Sequence, residues 1–546
     1  MTDHRERRPF GGHAALVAAG ILLSRIAGLI RTRVFAHFLG SSRAADAFNV
    51  ALKVPNFLQN LLGEGVLSAS FIPVYARLLA RGDERLAGRV AGVFATLLML
   101  GLSGIVLLGV LLAPWILQIT APGFPPDVMR LTVTLVRIIF PGVGLLVLSA
   151  WCLGVLNTHR QFFLSYVAPV LWNAAMIATL VIFGTRLRER ELAVALAWGT
   201  LIGCALQLGI QMPFVFRHAR QLSFGIDRDL APVREIFRNL APVIGGRGVV
   251  QISGYVDQFI ATFLPAGAVA NLVYAQTVYL LPISVFGMSV SAAELPQMSA
   301  QSGTKEEIDA ALRARLTRGL RQISFFIVPT AVAFLLIGRL LVAALYQTGK
   351  FTNDVTLVVW YVLAGWTTGL VAATLGRLYS SAFYALQDTR TPFRFALARV
   401  SLGATLALLL AFPFRGLFAT AIRAASLPMP HLPGGADALA VIGIPLASGV
   451  ASWVEFLLLR RALRRRIGAG EPAAGFLARL WTSALVAGGA SLAFDLLVAR
   501  DAAAHLPLRH INEALMVCLV FGVVYFATAF LLGVPEVKST LARFRR

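Results

Sequence analysis

Long apolar runs of about 20 residues dominate the chain, and most polar and charged residues fall in the short segments between them. A helix of that length crosses the hydrocarbon core of a bilayer, whereas the strands of a membrane β-barrel alternate polar and apolar positions. The pattern therefore predicts an all-α integral membrane protein with about 14 transmembrane helices. The predicted spans are 14–38, 45–76, 90–118, 128–155, 162–183, 191–215, 239–264, 269–300, 319–340, 355–385, 393–414, 437–459, 477–499 and 511–533.

The second predicted span, 45–76, is the least regular. It is too long for a straight crossing at 1.5 Å per residue, and Pro55 lies inside it. Irregular backbone at membrane depth is tolerated where it is buried in protein or borders a water-filled cavity. We therefore expect a bent or broken helix that borders a cavity.

Two segments of the chain are similar to each other. FAHFLGSSRAADAFNVA, which starts at Phe35, aligns with IATFLPAGAVANLVYAQ, which starts at Ile260, and Asp46 falls opposite Asn271. Each segment is typical of a helix end, a short turn and a long second helix. Such a repeat predicts two six-helix lobes followed by an additional helix pair, with the substrate between the repeats. The predicted boundaries are 1–222 and 223–460 for the lobes, and 461–546 for the additional pair and its tail.

Composition supports the membrane class and explains the charge. Of 546 residues, 58% are hydrophobic and 14% are charged, and the formal net charge is +23. The Lys and Arg residues are concentrated in those short segments that lie inside the cell when the N-terminus is cytoplasmic, which is the positive-inside pattern. We therefore predict that both termini are cytoplasmic, and we interpret the positive charge as a topology signal, with no nucleic acid as partner.

No group of residues predicts catalysis or a metal site. The sequence contains no Walker loop, no HExxH zinc motif and no carboxylate cluster of the kind found in membrane glycosyltransferases. Its three cysteines, Cys152, Cys204 and Cys518, lie in apolar spans and are interpreted as packing residues. We expect a protein that is not an enzyme and that has no cofactor.

Charged residues inside the first two spans are the exception to the apolar pattern. An arginine at the bilayer centre costs about 2.5–3.5 kcal/mol on insertion scales, so such residues normally face a wet cavity or a partner. Arg25 and Arg31 lie within two turns of each other, and guanidinium groups suit phosphate through paired, charge-assisted hydrogen bonds. We predict that the two arginines bind a pyrophosphate. Lys53 is a further candidate, for which snorkelling to the membrane surface is the alternative.

The acidic residues of this region are candidates for a gate or for ion pairs. Asp46 opens the second span, where a carboxylate suits the helix dipole, and Glu64 lies near its inner end. The alternative to substrate binding by Arg25 and Arg31 is that they form structural ion pairs with these acids.

Three further charged residues lie in spans of the second lobe. Arg247 and Asp257 are too far apart to pair along one helix, so Arg399 is a candidate partner for Asp257. A buried structural pair is the favoured interpretation, and a sodium site at Asp257 is the alternative.

Several segments resemble the MurJ (MviN) lipid II flippases. They are SRIAGLIRTRVFAHFLG, ADAFNVALKVPNFLQNLLGEGVLSASFIPV, TAPGF at 120–124, LNTHRQF at 156–162, APVLWN at 168–173, YQTGKFT at 346–352 and FYALQDTRTP at 383–392. That family belongs to the multidrug/oligosaccharidyl-lipid/polysaccharide exporter superfamily, and the resemblance implies fourteen spans. The resemblance implies a bacterial inner-membrane protein that moves lipid II, the undecaprenyl-pyrophosphate-linked peptidoglycan precursor, to the outer leaflet. The implied partners are lipid II and membrane lipids.

The resemblance also implies roles for particular residues. Arg25 and Arg31 match the functional first-helix arginines of the family, and Asp46 matches its acid at the start of helix two. This chain has Gln59 and Thr277 where the family usually has arginine, so these two are expected to offer neutral hydrogen bonds to the substrate. Asp257 matches an acid that resembles a sodium ligand in some members, so the resemblance keeps sodium coupling open as the alternative to a structural pair.

The expected mechanism is alternating access of the two lobes, driven by the membrane potential. Because the cell interior is negative, each anionic charge moved outward gains about 2.3 kcal/mol per 100 mV. Two alternatives stay open: an exporter of another lipid-linked oligosaccharide or of a drug, and a non-transporting scaffold or paralogue.

Overall fold

The computed structural model describes the backbone of residues 10–227, 229–300, 304–431, 434–468, 470 and 472–538. Within these ranges it describes every side chain except those of 10–19, 21, 64, 162, 165, 241–253 and 292. The predicted roles of the Glu64 and Arg247 side chains therefore lie outside the described residues.

Helices make up almost all of the described chain, which contains no β-strand. They are α1 Phe10–Leu39, α2 Arg43–Leu62, α3 Glu64–Ala80, α4 Glu84–Thr120, α5 Pro126–Thr158, α6 Phe162–Phe183, α7 Glu189–His218, α8 Ala231–Ala261, α9 Ala268–Pro282, α10 Ser289–Ser299, α11 Lys305–Leu336, α12 Gly338–Tyr346, α13 Asn353–Ala385, α14 Arg390–Ala411, α15 Gly416–Ala424, α16 Gly443–Ile467, α17 Ala474–Phe494, α18 Arg500–Ala504 and α19 Arg509–Leu531. A π-helical stretch, Ile283–Met288, joins α9 to α10, and another, Asp495–Ala499, joins α17 to α18. A 3-10 helix, Gly435–Ile442, precedes α16.

The predicted membrane class is confirmed. Eleven helical segments of the described residues are long and apolar enough to cross a membrane. Each predicted span corresponds to one helix or to consecutive helices. The three predicted spans that are not among these eleven segments are 14–38, 45–76 and 239–264, and they correspond to α1, to α2 with α3, and to α8. The all-α architecture therefore follows from the lengths of the apolar runs.

The predicted break in the second span is confirmed, and it lies at Gly63 while Pro55 remains inside α2. Helix α2 ends at Leu62 and α3 begins directly after Gly63, whose backbone is extended (φ −84°, ψ −152°). A Cβ atom on Gly63 would lie 2.3 Å from the Gln59 carbonyl oxygen. Glycine is therefore the residue that this break accepts.

The second copy of the sequence repeat has a related but unbroken architecture. Helix α9 ends at Pro282, and the chain continues through the π-helical stretch into α10. A π-helical turn is one of the recognised sites at which a long helix bends. The residues that align at the start of each long helix, Asp46 and Asn271, are both buried.

Two compact units make up the chain, one up to Phe259 and the other from Ile260 onward. In the first unit, α5 packs against α2, α4 and α7, and α6 packs against α1 and α7. In the second unit, α13 packs against α9, α11 and α16, while α17 packs against α11 and α19. The lobe boundaries predicted at 222/223 and 460/461 stay predictions.

Helices α13 and α16 of the second unit approach each other closely at two glycines. A Cβ atom on Gly369 would lie 2.4 Å from the Cα of Gly449. Small residues at such crossings let membrane helices pack backbone against backbone.

Gly369→Ala should therefore destabilise the protein by about 1–3 kcal/mol, since the new methyl group meets backbone that cannot move aside. The matched control is Gly376→Ala on the same helix, where the nearest heavy atom to a new Cβ is 4.0 Å away. Alanine favours helices over glycine, so this control should be neutral or slightly stabilising. The measurement is the thermal unfolding midpoint in detergent, and equal midpoints for the two variants would contradict the close approach.

Candidate functional site

The first unit contains a cavity of about 710 Å³. Six helices contribute to its wall: α1, α2, α3, α5, α6 and α7. The wall is rich in hydroxyl and carboxamide groups and includes two aromatic residues, Tyr166 and Trp172. Among the described side chains, Arg25 is the only charged one in the wall. The described part of this wall therefore combines neutral polar side chains with one positive charge.

The break at Gly63 shapes one side of this cavity. Gln59 and Asn60 at the end of α2, Gly63 itself, and Gly65 and Ser68 of α3 all line it. The expectation of a broken helix that borders a cavity is thereby confirmed. Gln59, which was predicted to bind substrate, is placed in the wall.

Arg25 is exposed to the cavity, and it has no ion-pair or hydrogen-bond partner among the residues that the structure describes. An unpaired guanidinium at membrane depth is costly unless water or a ligand solvates it. Arg31 is placed differently: its Cζ lies 5.0 Å from the ring centroid of Trp172, which is a cation–π distance. Of the two predicted arginines, Arg25 thus faces the cavity directly, and Arg31 contacts one of its wall residues.

Asp46 is buried in the first turn of α2, where its backbone N–H donates to the Ser42 carbonyl oxygen at 3.0 Å. Ser42 caps this helix, because its hydroxyl oxygen accepts from the Ala45 N–H at 3.2 Å. The carboxylate therefore lies at the positive end of the helix dipole, as the sequence predicts. Its role as a gate stays a prediction.

Lys53 connects α2 to α8 within the first unit. Its ammonium donates to the Gly254 carbonyl oxygen at 2.5 Å and lies 5.3 Å from the centroid of Tyr255. The Tyr255 hydroxyl in turn donates to the Lys53 carbonyl oxygen at 2.7 Å. Asp257 is near enough to act electrostatically on Lys53. Lys53 is not among the residues that line the cavity, so its predicted contact with substrate stays a prediction.

Arg399 in α14 forms an ion pair with Glu455 in α16, within the second unit. Its Nε lies 2.9 Å from Glu455 Oε2, although the N–H does not point along a hydrogen bond. Arg377 in α13 acts electrostatically on Glu455 and on Tyr279. The partner that the structure gives to Arg399 is thus Glu455, which the sequence analysis had not considered for this role.

Thr277 and Asp257 are the remaining predicted site residues with described side chains. The Thr277 hydroxyl donates to the Val273 carbonyl oxygen of its own helix at 2.9 Å. No group of three or more His, Cys, Asp or Glu residues that could hold a metal occurs among the described residues. Substrate binding by Thr277 and sodium coupling through Asp257 stay predictions.

Comparison with known proteins decides the family. The family described as "Lipid II flippase MurJ" matches residues 35–429. A "Probable lipid II flippase MurJ" of Rhizobium meliloti is 31% identical over 550 aligned positions, covering 97% of this chain and 95% of the relative. The "Lipid II flippase MurJ" of Burkholderia cenocepacia is 30% identical and covers 95% of this chain and 97% of its own length. The chain belongs to the MurJ family.

Solved structures show the same fold. A MurJ structure titled "inward closed conformation" superimposes with a TM-score of 0.71 at 21% identity, and it covers 95% of this chain and 98% of that one. An inward-facing transporter of the multidrug-resistance MATE family superimposes with a TM-score of 0.60 at 18% identity, covering 83% and 98%. The family model and the relatives confirm the resemblance to MurJ noted in the sequence, and these superpositions agree with its fold.

The QDTRTP motif of this MurJ-family chain forms a turn between α13 and α14. The Asp388 carboxylate accepts hydrogen bonds from the backbone N–H of Thr391 at 3.0 Å and from its hydroxyl at 2.8 Å. Arg466, at the end of α16, donates to the same carboxylate at 3.1 Å. These hydrogen bonds from Thr391, together with Arg466, hold the pKa of Asp388 below its usual range. The motif therefore fixes the start of α14 rather than lining the cavity.

The LNTHRQF motif places His159 directly after α5. Its Nε2 lies 3.0 Å from the Tyr75 hydroxyl, and its ring lies 6.0 Å from that of His218. Burial, followed by repulsion from His218, lowers the pKa of His159 despite the opposing effect of Glu84. These surroundings thus favour the neutral form of the imidazole at the end of the span.

Acidification should consequently destabilise the protein through His159. A base whose pKa is lowered on folding stabilises the fold above its unfolded pKa, about 6.5, and this contribution is lost as pH falls below that value. Between pH 7.5 and pH 5.5, the thermal midpoint of the wild type should fall more than that of His159→Gln. The control is His431→Gln, at an exposed position, which should keep the wild-type slope. If the thermal midpoint of His159→Gln fell with pH as much as that of the wild type, His159 would not contribute to the pH dependence of stability.

Most polar residues of the cavity wall were missed in the sequence analysis, among them Ser149, Gln207 and Gln211. They are uncharged and lie singly within apolar spans, so they gave a weaker signal than Arg25. Arg377 and Glu455 were also missed, although each is a charged residue within a predicted span. The rule that singled out Arg25 would have found both of them.

Proposed function

We propose that the protein is a lipid II flippase that moves undecaprenyl-pyrophosphate-linked muropeptide from the inner to the outer leaflet of the bacterial inner membrane. The observation that carries the proposal is Arg25, a guanidinium in the cavity wall of the first unit with no ion-pair or hydrogen-bond partner among the described residues. The names of the relatives support the substrate, since they are described as lipid II flippases.

The chemistry of this wall suits the head group of such a lipid. A guanidinium offers several N–H donors in one plane and binds diphosphate oxygens through charge-assisted hydrogen bonds. Gln59 and Asn60 add neutral carboxamides beside it. The polyprenyl tail stays in the bilayer, because burying its apolar surface in a polar cavity would be unfavourable.

The membrane potential supplies the driving force in this proposal. With both termini cytoplasmic, the anionic head group moves outward down the potential, at about 2.3 kcal/mol per charge and 100 mV. Alternating access then needs no nucleotide and no cofactor. Sodium coupling through Asp257 is a separate part of the proposal, and the assay described next tests it independently of the membrane potential.

A vesicle assay tests the function directly. The purified chain is reconstituted with fluorescent lipid II, and translocation is followed by access of a membrane-impermeant quencher, with a potassium diffusion potential of either sign. We expect flipping above that of protein-free vesicles, and faster outward movement when the cytoplasmic side is negative. Omitting sodium isolates any cation requirement. Rates equal to protein-free vesicles under all conditions would contradict the proposal.

Export of another lipid-linked oligosaccharide is the second candidate. It is supported by Gln59, a neutral residue at a position where the sequence comparison led us to expect arginine. Undecaprenyl-pyrophosphate oligosaccharides without a peptide, tested in the same vesicles, distinguish the two. Preferential movement of such a lipid over lipid II would favour this alternative.

A further inference from the structure

We propose that Ser149, Gln207 and Gln211 form a subsite for an amide-bearing saccharide, such as an N-acetylated sugar, separate from the diphosphate contact at Arg25. This inference rests on the proposed function and deepens it, because it assigns the neutral part of the head group to a different region of the cavity wall.

The three side chains form one hydrogen-bonded chain between α5 and α7. The Ser149 hydroxyl donates to Gln211 Oε1 at 2.7 Å, and Gln207 Nε2 donates to the Ser149 oxygen at 3.1 Å. Ser149, Gln207 and Gln211 are 2%, 9% and 1% exposed, respectively, and all three line the cavity. Gln207 and Gln211 lie one turn apart, so both reach the same serine.

This chain of hydrogen bonds leaves two polar groups open. Gln207 Oε1 and Gln211 Nε2 make no hydrogen bond to any residue that the structure describes. The serine hydroxyl has a single proton, so it donates to one glutamine and accepts a hydrogen bond from the other. One free carbonyl oxygen and one free NH₂ group therefore remain at the ends of the chain. Both residues line the cavity, so water or a ligand in the cavity is the partner available to these two groups.

A secondary amide is the chemical complement of these two groups. It offers one N–H donor to the free carbonyl oxygen and one C=O acceptor to the free NH₂ group. A diphosphate offers acceptors alone and would oppose the Gln207 oxygen. The subsite therefore favours the N-acetylated saccharide and leaves the diphosphate to Arg25.

Hydrogen bonding between helices does not by itself account for the arrangement. Polar residues do join membrane helices, and the two bonds of Ser149 have that effect. The buried Thr200, also on α7, satisfies its hydroxyl on the Leu196 carbonyl oxygen of its own helix at 2.7 Å, and it does not line the cavity. The groups without a hydrogen bond occur at Gln207 and Gln211, which line the cavity, and not at Thr200, which does not. Thr200 is therefore the matched control position.

The test compares the binding of two lipids to the purified full-length protein: undecaprenyl pyrophosphate and lipid II. Gln207→Leu/Gln211→Leu should bind undecaprenyl pyrophosphate with wild-type affinity, which also shows that it is folded. Its affinity for lipid II should fall about tenfold, as expected for the loss of two neutral hydrogen bonds. Thr200→Val should bind both lipids as the wild type does. If the double variant does not fold, the volume-conserving Gln207→Met should weaken lipid II binding about threefold.

A modified ligand sharpens the test. N-deacetylated lipid II should bind the wild type more weakly than lipid II does, whereas the double variant should bind both equally. If the wild type prefers lipid II over N-deacetylated lipid II and the double variant keeps the full preference, the subsite is overturned and the proposed function stays intact. A wild-type protein that binds neither undecaprenyl pyrophosphate nor lipid II would overturn both the subsite and the proposed function.

Discussion

Arg25→Ala is expected to slow lipid II flipping by about 10- to 100-fold. Arg25 lines the cavity and has no partner among the described residues, so its removal takes away a substrate contact and leaves no acid unpaired. A hydrogen bond to a charged group contributes about 1.5–3 kcal/mol, which corresponds to that range of rates. The measurement is the vesicle assay, supported by growth of a flippase-depleted bacterium that expresses the variant.

Two further variants show whether the effect is specific. Arg25→Lys keeps the charge but loses the planar fork of donors, so its rate should lie between those of the wild type and the alanine variant. Arg43→Ala is the control, because Arg43 and Asp127 form an exposed pair whose atoms are 3.7 Å apart. Exposed pairs contribute little, and this rate should not change. Wild-type transport by Arg25→Ala would remove Arg25 from the mechanism.

Glu455→Ala should lower the free energy of unfolding by about 3 kcal/mol. The substitution leaves Arg399 without its carboxylate while Arg377 remains close by, and both members of the pair are largely buried. Breaking a buried pair by removing one partner is costly because the other charge is left uncompensated. Chemical denaturation of the purified protein in mixed micelles measures the difference.

The double variant Arg399→Met/Glu455→Leu should recover most of that loss, since apolar residues of similar size can replace a buried pair without penalty. The control is Asp229→Ala, which removes one partner of an exposed pair with Arg234 and should leave stability unchanged. If Glu455→Ala were as stable as the wild type, the pair would have no structural role.

The fold was predictable because the lengths of the apolar runs determine it. Every predicted span corresponds to a helix or to consecutive helices, since a bilayer leaves the backbone few other ways to satisfy its hydrogen bonds. The position of the break in the second span was not predictable. Pro55 is the usual signal, but the break lies at Gly63, where the contact that requires glycine is made by the Gln59 carbonyl oxygen.

The candidate site was predictable only in part. Arg25 was found because an ionised group in an apolar span has a large cost, and this cost does not depend on knowing its neighbours. The contacts of Lys53 with Gly254 and Tyr255 depend on the packing of α2 against α8, which the pattern along the chain does not reveal. Ser149, Gln207 and Gln211 were missed because each alone is an ordinary polar residue, and the network exists only once α5 and α7 are side by side.

The affinity of the purified protein for undecaprenyl pyrophosphate, measured for the wild type, Arg25→Ala and Arg43→Ala, tests the central claim most directly. We predict that Arg25→Ala weakens binding by about 10- to 100-fold while Arg43→Ala leaves it unchanged. Equal affinities for the wild type and Arg25→Ala would contradict the claim that the cavity of the first unit holds the diphosphate.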